Sequence, residues 1–171
     1  MERRAATHDE ARALSNPLRL RILRLCLDRA MTNEELAARL GLNAGTVLHH
    51  VRLLVATGFL APEEERRGAR GAVERPYRAT GKSWTLDVGE EEGSGKTNVG
   101  TLALIDAFRA EVAEAPVEYL MTGSRVGVRL ATDQLEAFTA RIDQLAHDLK
   151  DADDPAGEPY GFFVGLHRRT E

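Results

Sequence analysis

The stretch NAGTVLHHVRLLVATGFL, residues 43–60, decides how the rest of the chain is read. Asn43 is a helix cap and Gly58 a helix stop, so the residues between them form one short helix that runs on into a strand. At 100° per residue, Val47, His50, Val51, Leu54 and Val55 gather on one side, while Gly45, His49, Arg52 and Ala56 lie opposite. The two adjacent histidines therefore face different surroundings. His50 edges the core and reads as a hydrogen-bonded structural residue. His49 points outward beside Thr46 and Arg52, on a polar face whose first residues are small. A zinc pair on a helix stands four residues apart, so neighbours turned by 100° make a poor chelate and the pair is not read as a metal site.

Working outward toward the N-terminus, more short helices appear. THDEARALS is one, and Asn16-Pro17 starts the next, because proline suits the first turn after an Asn cap. Leu18, Ile22, Leu25 and Cys26 then recur at helical spacing and mark a core face. In MTNEELAARLGL, Thr32 and Glu35 form a capping box, Leu36, Ala37 and Leu40 form the apolar stripe, and Gly41 is the stop. Gly41-Leu42-Asn43 is thus a tight turn between two helices, the spacing of a helix-turn-helix. On the other side, FLAPEEERRGARGAVERPYRAT reads as two strands around a tip bracketed by Gly68 and Gly71. Three helices and a basic hairpin make a winged helix.

The remainder differs in character. GEEEGSGKTN, residues 89–98, is glycine-rich and charged and is read as a linker between a first domain, residues 1–88, and a second, residues 99–171. TLALIDAFRAEVAEA is an apolar helix ended by Pro116, with large residues on more than one side. RVGVRL alternates as a strand through Val126, Val128 and Leu130. Thr132 to Lys150 is an amphipathic helix with Leu135, Phe138, Ile142, Leu145 and Leu149 on one stripe, and YGFFVGLHR is a closing strand. The expected fold class is α+β: an N-terminal winged helix-turn-helix domain plus a C-terminal helix and strand-helix-strand dimerisation region.

The segments ALSNPLRLRIL, TNEELAARLGLNAGTVLHHVRLLVATGFL and the hairpin through Tyr77 resemble the ArsR-type winged helix-turn-helix transcriptional regulators of bacteria, over residues 8–82. The resemblance implies a homodimer that places the 43–57 helix in the major groove of double-stranded DNA and its wing on the flanking backbone. It implies base or phosphate contacts by Thr46, His49 and Arg52, and backbone contacts by Arg66, Arg67 and Arg70. The chain departs from the family's metal sensors, since EELAARL carries no cysteine and TLALIDAFRAEVAEA no histidine. Metal sensing is not carried over. His147, Asp143 and Asp148 in the later helix are read as a solvated face rather than as ligands.

Charge supports two modules with different partners. Residues 1–82 hold 15 Lys+Arg against 10 Asp+Glu, a balance of +5, and residues 83–171 hold 8 against 17, a balance of −9, which together give the overall −4. A basic half faces a polyanion and an acidic half faces something else. Within the wing, the glutamates of EEERR (Glu63 to Arg67) would oppose DNA, so they are expected to turn from the backbone or toward other charges of the protein. At 171 residues with 43% hydrophobic and 29% charged, the composition is that of a globular chain. No apolar run approaches the roughly 18 to 20 residues that span a bilayer, and a cytoplasmic location with no membrane partner is expected. Cys26, the one cysteine, lies in an apolar stretch and reads as a buried thiol. GSGKT resembles the end of a phosphate loop, but the position that needs the first glycine is Glu90, and its acidic neighbours would repel phosphate. No nucleophile constellation is visible either. The expectation is a regulator that is not an enzyme and holds no cofactor, with an effector of unknown identity left open in the second half. The rival is a winged helix that binds protein without DNA specificity.

Overall fold

Four short helices are each fixed at their starts by a side chain that takes up orphan backbone amides. The computed structural model describes residues 4–68, 71–91, 95–96, 99–116, 118, 126–154 and 156–168. After a short strand β1 (Arg4–Ala6), helix α1 (His8–Leu14) begins with a capping box between Thr7 and Glu10. Helix α2 (Pro17–Asp28) has Asn16 as its cap, whose Oδ1 accepts from the amides of Leu18 and Arg19 at 3.0 and 3.2 Å. Helix α3 (Asn33–Leu40) carries the expected Thr32–Glu35 box, and helix α4 (Ala44–Ala56) starts at Asn43, whose side chain accepts from Gly45 N at 2.7 Å.

The ends are as regular as the starts. Leu42 N donates to Ala37 O and Gly41 N to Ala38 O, with Gly41 at φ 65°; Phe59 N donates to Leu54 O and Gly58 N to Val55 O, with Gly58 at φ 74°. Both helices of the pair α3/α4 thus finish on a left-handed glycine, a conformation that costs a side-chain-bearing residue about 1–2 kcal/mol. The angle between α3 and α4 is further held by Asn33 Nδ2, which donates to Ala44 O at 2.9 Å.

The hairpin after α4 is built of two ladders. Strands β2 (Leu60–Pro62) and β5 (Tyr77–Ala79) pair antiparallel at its root, and β3 (Arg66–Arg67) and β4 (Val73–Glu74) pair beyond them. Met31 bridges Tyr77 through both backbone bonds, 3.0 and 2.9 Å, so the root is backed by a third segment. Ile22, Cys26, Met31, Leu36, Val47, Val51, Leu54, Phe59 and Leu60 make one buried core under the helices and the root. Burial of Cys26 pushes its thiol up to about 12, which leaves it protonated and unreactive.

Three strands, β1 among them, stand where the sequence suggests none. β6 (Leu86–Glu91) pairs parallel with β1, Arg4 opposite Leu86, and antiparallel with β7 (Gly95–Lys96). The segment read as a linker therefore contains strand residues, and Leu86 belongs to the core of the first half. The chain divides into compact units at Met1–Ala113 and Glu114–Glu171. Helix α5 (Val99–Glu114) lies almost wholly in the first unit; it buries Gly100, Ala103 and Ala107 and leaves Val99, Leu102, Ile105 and Val112 exposed.

In the second unit the amphipathic helix forms as α6 (Thr132–Asp151), yet none of its residues is buried. The expected strands are absent among the described residues: 126–130 and 160–168 have no strand pairing. Their alternation is real, with Val126, Val128, Phe162, Val164 and Leu166 all exposed. A strand requires a neighbouring edge to satisfy its amides and carbonyls, and no described residue of this unit supplies one. The architecture is α+β, with its helical pair and wing at the N-terminal end.

Candidate nucleic-acid interface

The outward face of α4 is set by its inward one. Val47, Val51 and Leu54 are buried, at no more than 1% exposure, which turns Thr46, His49, Arg52 and Ala56 into solvent on the opposite side. The caps on both sides of the turn, and the Asn33 link between the helices, fix the direction in which that face points. His49 and His50 meet only edge to face, with ring centroids 5.6 Å apart.

His50 is held at the edge of the core, half-buried, with Arg19 Nη1 3.5 Å from its Nδ1. A guanidinium can only donate, so a hydrogen bond across this contact requires Nδ1 as the acceptor. Burial, then the charges of Arg19 and His49, pull the His50 pKa below its ordinary value. Arg19 itself is a buried cation. Its guanidinium closes the end of α1 by donating to Ala13 O and Arg12 O, both at 2.5 Å. It lies on the same face as Ile22 and Cys26, where a charge on a core stripe is the only sequence signal that marks it.

A second polar knot locks the other end of α4. Lys82 Nζ donates to Thr57 O at 2.6 Å and pairs with Glu10 at 2.8 Å, while lying 5.1 Å over the Phe59 ring. Glu10 also takes a two-pronged bond from Arg4, at 2.8 and 2.7 Å, which together with Lys82 and the Thr7 amide holds its carboxyl well below the usual carboxylate range despite burial. Helix α4 is thus clamped to α1 and to β1 through one lysine. Nothing in the local sequence around Lys82 announces this, because the partners are far apart along the chain.

On the wing, Arg66 and Arg67 form β3, both exposed, while Arg70 lies outside the described residues. The tip turn closes through Gly71 N to Gly68 O, with Gly71 at φ 78°. Two of the three wing glutamates turn toward other protein charges: Glu63 accepts from Arg78 at 2.6 Å and Glu65 from Arg75. Arg66 is bound by Glu35 of α3 at 2.8 Å and by Glu74 across the ladder at 3.4 Å. Arg67 has no ion pair among the described residues. The arrangement offers a shaped polar helix face and a cation-bearing hairpin. His147, weighed as a ligand, donates from Nδ1 to its own helix at Asp143 O, 2.6 Å away. No helix among the described residues is long and apolar enough to cross a membrane.

Two capped helices joined by a glycine turn, with a hairpin behind them, define a helix-turn-helix domain, and residues 14–63 match the family model described as a helix-turn-helix domain. That match runs from the end of α1 into the wing and leaves the larger part of the chain outside it. No curated protein matches the chain. Among solved structures it is similar to reduced HlyU from Vibrio cholerae, with 21% identity over 55% of this chain and 77% of the other at a TM-score of 0.34. The adhesin competence repressor AdcR of Streptococcus pyogenes gives 16% identity, 79% and 81% coverage and a TM-score of 0.36. Staphylococcus aureus MarR, in complex with salicylate and kanamycin, gives 12%, 72% and 65%, and 0.25. The TM-scores are below 0.5, so the fold rests on the domain match and on the geometry above.

Proposed function

We propose that the chain is a dimeric, sequence-specific, DNA-binding transcriptional regulator of the ArsR type, acting in the cytoplasm where its operator lies. The observation that carries this reading is the exposed face of α4, with Thr46, His49 and Arg52 opposite a fully buried stripe. A helix so presented fits the major groove, where Arg and His edges meet base acceptors, and the wing arginines Arg66, Arg67 and Arg70 fit the flanking phosphates.

Residues 99–171 form the dimerisation region in this reading and are where a small effector would bind. Eleven large apolar side chains between Val126 and Leu166 are exposed. Together they present on the order of 1,000 Å² of apolar surface, against the roughly 800 Å² that each partner buries in a stable complex. A second copy supplies both the cover and the strand edge that residues 126–130 and 160–168 lack.

The test is titration of duplex DNA into the full chain across a salt series, first with fragments selected from genomic DNA and then with random duplex. Preference for the selected fragments with a steep loss of affinity on adding salt is expected. One observation favours the rival protein-binding module, namely that Arg66, Arg75 and Arg78 are each already paired with a carboxylate. Such a module would show no counterion-release slope on any duplex.

A further inference from the structure

The acid that holds Arg66 does not belong to the wing. Glu35 sits in the first turn of α3, and its two oxygens have separate tasks: Oε2 accepts from the Thr32 amide at 2.7 Å as half of the capping box, and Oε1 accepts from Arg66 Nη2 at 2.8 Å. The cap fixes the carboxylate whether or not Arg66 is present. Little side-chain freedom on the glutamate side remains to be lost when the pair closes, which removes one of the terms that make exposed ion pairs weak. Glu74 approaches the same guanidinium from the neighbouring strand, at 3.4 Å from Nε. Glu35 thereby ties Arg66 to the helix pair while Glu74 holds it across its own hairpin, whereas Arg67, the next residue on β3, has no ion partner among the described residues.

We propose that Glu35 is a latch: it holds Arg66 against the helix pair in the free protein, and the wing engages DNA by exchanging this carboxylate for a backbone phosphate. The inference rests on the DNA-binding reading above. A guanidinium fork accepts a carboxylate or a phosphate with similar geometry, so the two anions compete for one cation rather than bind it together. Arg67 is then the unconditional wing contact and Arg66 the conditional one. Glu35 acts as a positioning residue, with its effect passing through Arg66 alone. The latch weakens loose encounters, in which phosphate is not fixed at Arg66, more than it weakens a fully docked complex, and so it favours the right site over random duplex.

Four full-length proteins decide the matter: the wild type, Glu35→Gln, Arg66→Ala and the double variant, titrated with random duplex over a salt series. Glutamine keeps an oxygen for the Thr32 amide, so the cap survives while the charge is lost. Glu35→Gln is expected to tighten binding about threefold at low salt and to steepen the salt slope by up to about 0.9. In the Arg66→Ala background the gain should shrink to the small part due to removing one negative charge. A gain of equal size in both backgrounds, no gain, or a loss would overturn the latch. A second measurement needs no change at Glu35: in the otherwise wild-type chain, Arg67→Ala should cost more affinity than Arg66→Ala, and the reverse order overturns the proposal. Binding by all four proteins without coupling between residues 35 and 66 defeats the latch alone. Absence of salt-dependent binding by any of them defeats the DNA-binding reading, and the latch with it.

Discussion

Two histidines side by side on α4 show how far one residue's role depends on the side of the helix it occupies. His49 and Arg52 are exposed and opposite the core, so His49→Ala and Arg52→Ala should leave the melting temperature unchanged while lowering preference for the operator over random duplex. About 1 to 3 kcal/mol is expected for each lost base contact, read as the ratio of two dissociation constants. Unchanged preference in both variants would move the recognition surface elsewhere. His50 gives a prediction of another kind. Burial and the nearby Arg19 and His49 charges favour its neutral form in the folded chain, whereas in the unfolded chain it takes up a proton near pH 6.5. The unfolded state then binds more protons below that pH, so the His50 contribution to stability is fully present above about pH 6.5 and declines as the pH falls. Denaturant midpoints measured from pH 7.5 to 5 should fall less steeply in His50→Gln than in the wild type. Parallel profiles would mean that another group controls the decline.

At the scale of elements, the helix pair was legible because each boundary is written in a local residue. Asn16-Pro17, the Thr32–Glu35 box, Gly41, Asn43 and Gly58 all stand where the structure starts or stops a helix. The wing was legible too, through Gly68 and Gly71, though not its division into a backed root and a two-residue outer ladder. The β1–β6 pairing was not. β1 is three residues long, β6 runs into glycine and glutamate, and parallel partners this far apart leave no local pattern. The expected strands at 126–130 and 160–168 fail for the opposite reason, since the pattern is present without the edge that would complete it. Arg19, Lys82 and the wing role of Glu35 escaped because each depends on a contact between distant segments. For the wing itself, Arg67→Ala should weaken all duplexes alike and flatten the plot of log affinity against log salt by about 0.9. An effect confined to one DNA sequence would show that the wing reads bases.

For the whole molecule, the decisive contrast lies between a first unit with a continuous core and a second unit with none among its described residues. Leu86 belongs to that core and its strand β6 is the partner of β1, so a fragment ending near residue 83 would lose part of its own fold. Substitutions in the full chain are the cleaner probe. Phe138 and Leu145 are 44% and 46% exposed, and charging them costs the isolated protomer little. The pair Phe138→Asp and Leu145→Asp should therefore leave the first unit folded, convert a sedimenting dimer to monomer, and reduce operator affinity by orders of magnitude through lost avidity. A dimer that survives would assign the interface to the exposed face of α5 at Leu102 and Ile105.

The bareness of α6 and its flanking segments also ties the ordering of that unit to the amount of protein present. If its apolar surface is covered only in the assembled pair, folding and association become one equilibrium, and mass action enters the stability. Calorimetry at increasing protein concentration should show one transition that stays fixed, from the first unit, and another that moves upward, from the second. In a cell, occupancy of a two-fold site would then climb with the square of the copy number at low abundance. Doubling the supply of chain would do more than double the response, with no effector involved.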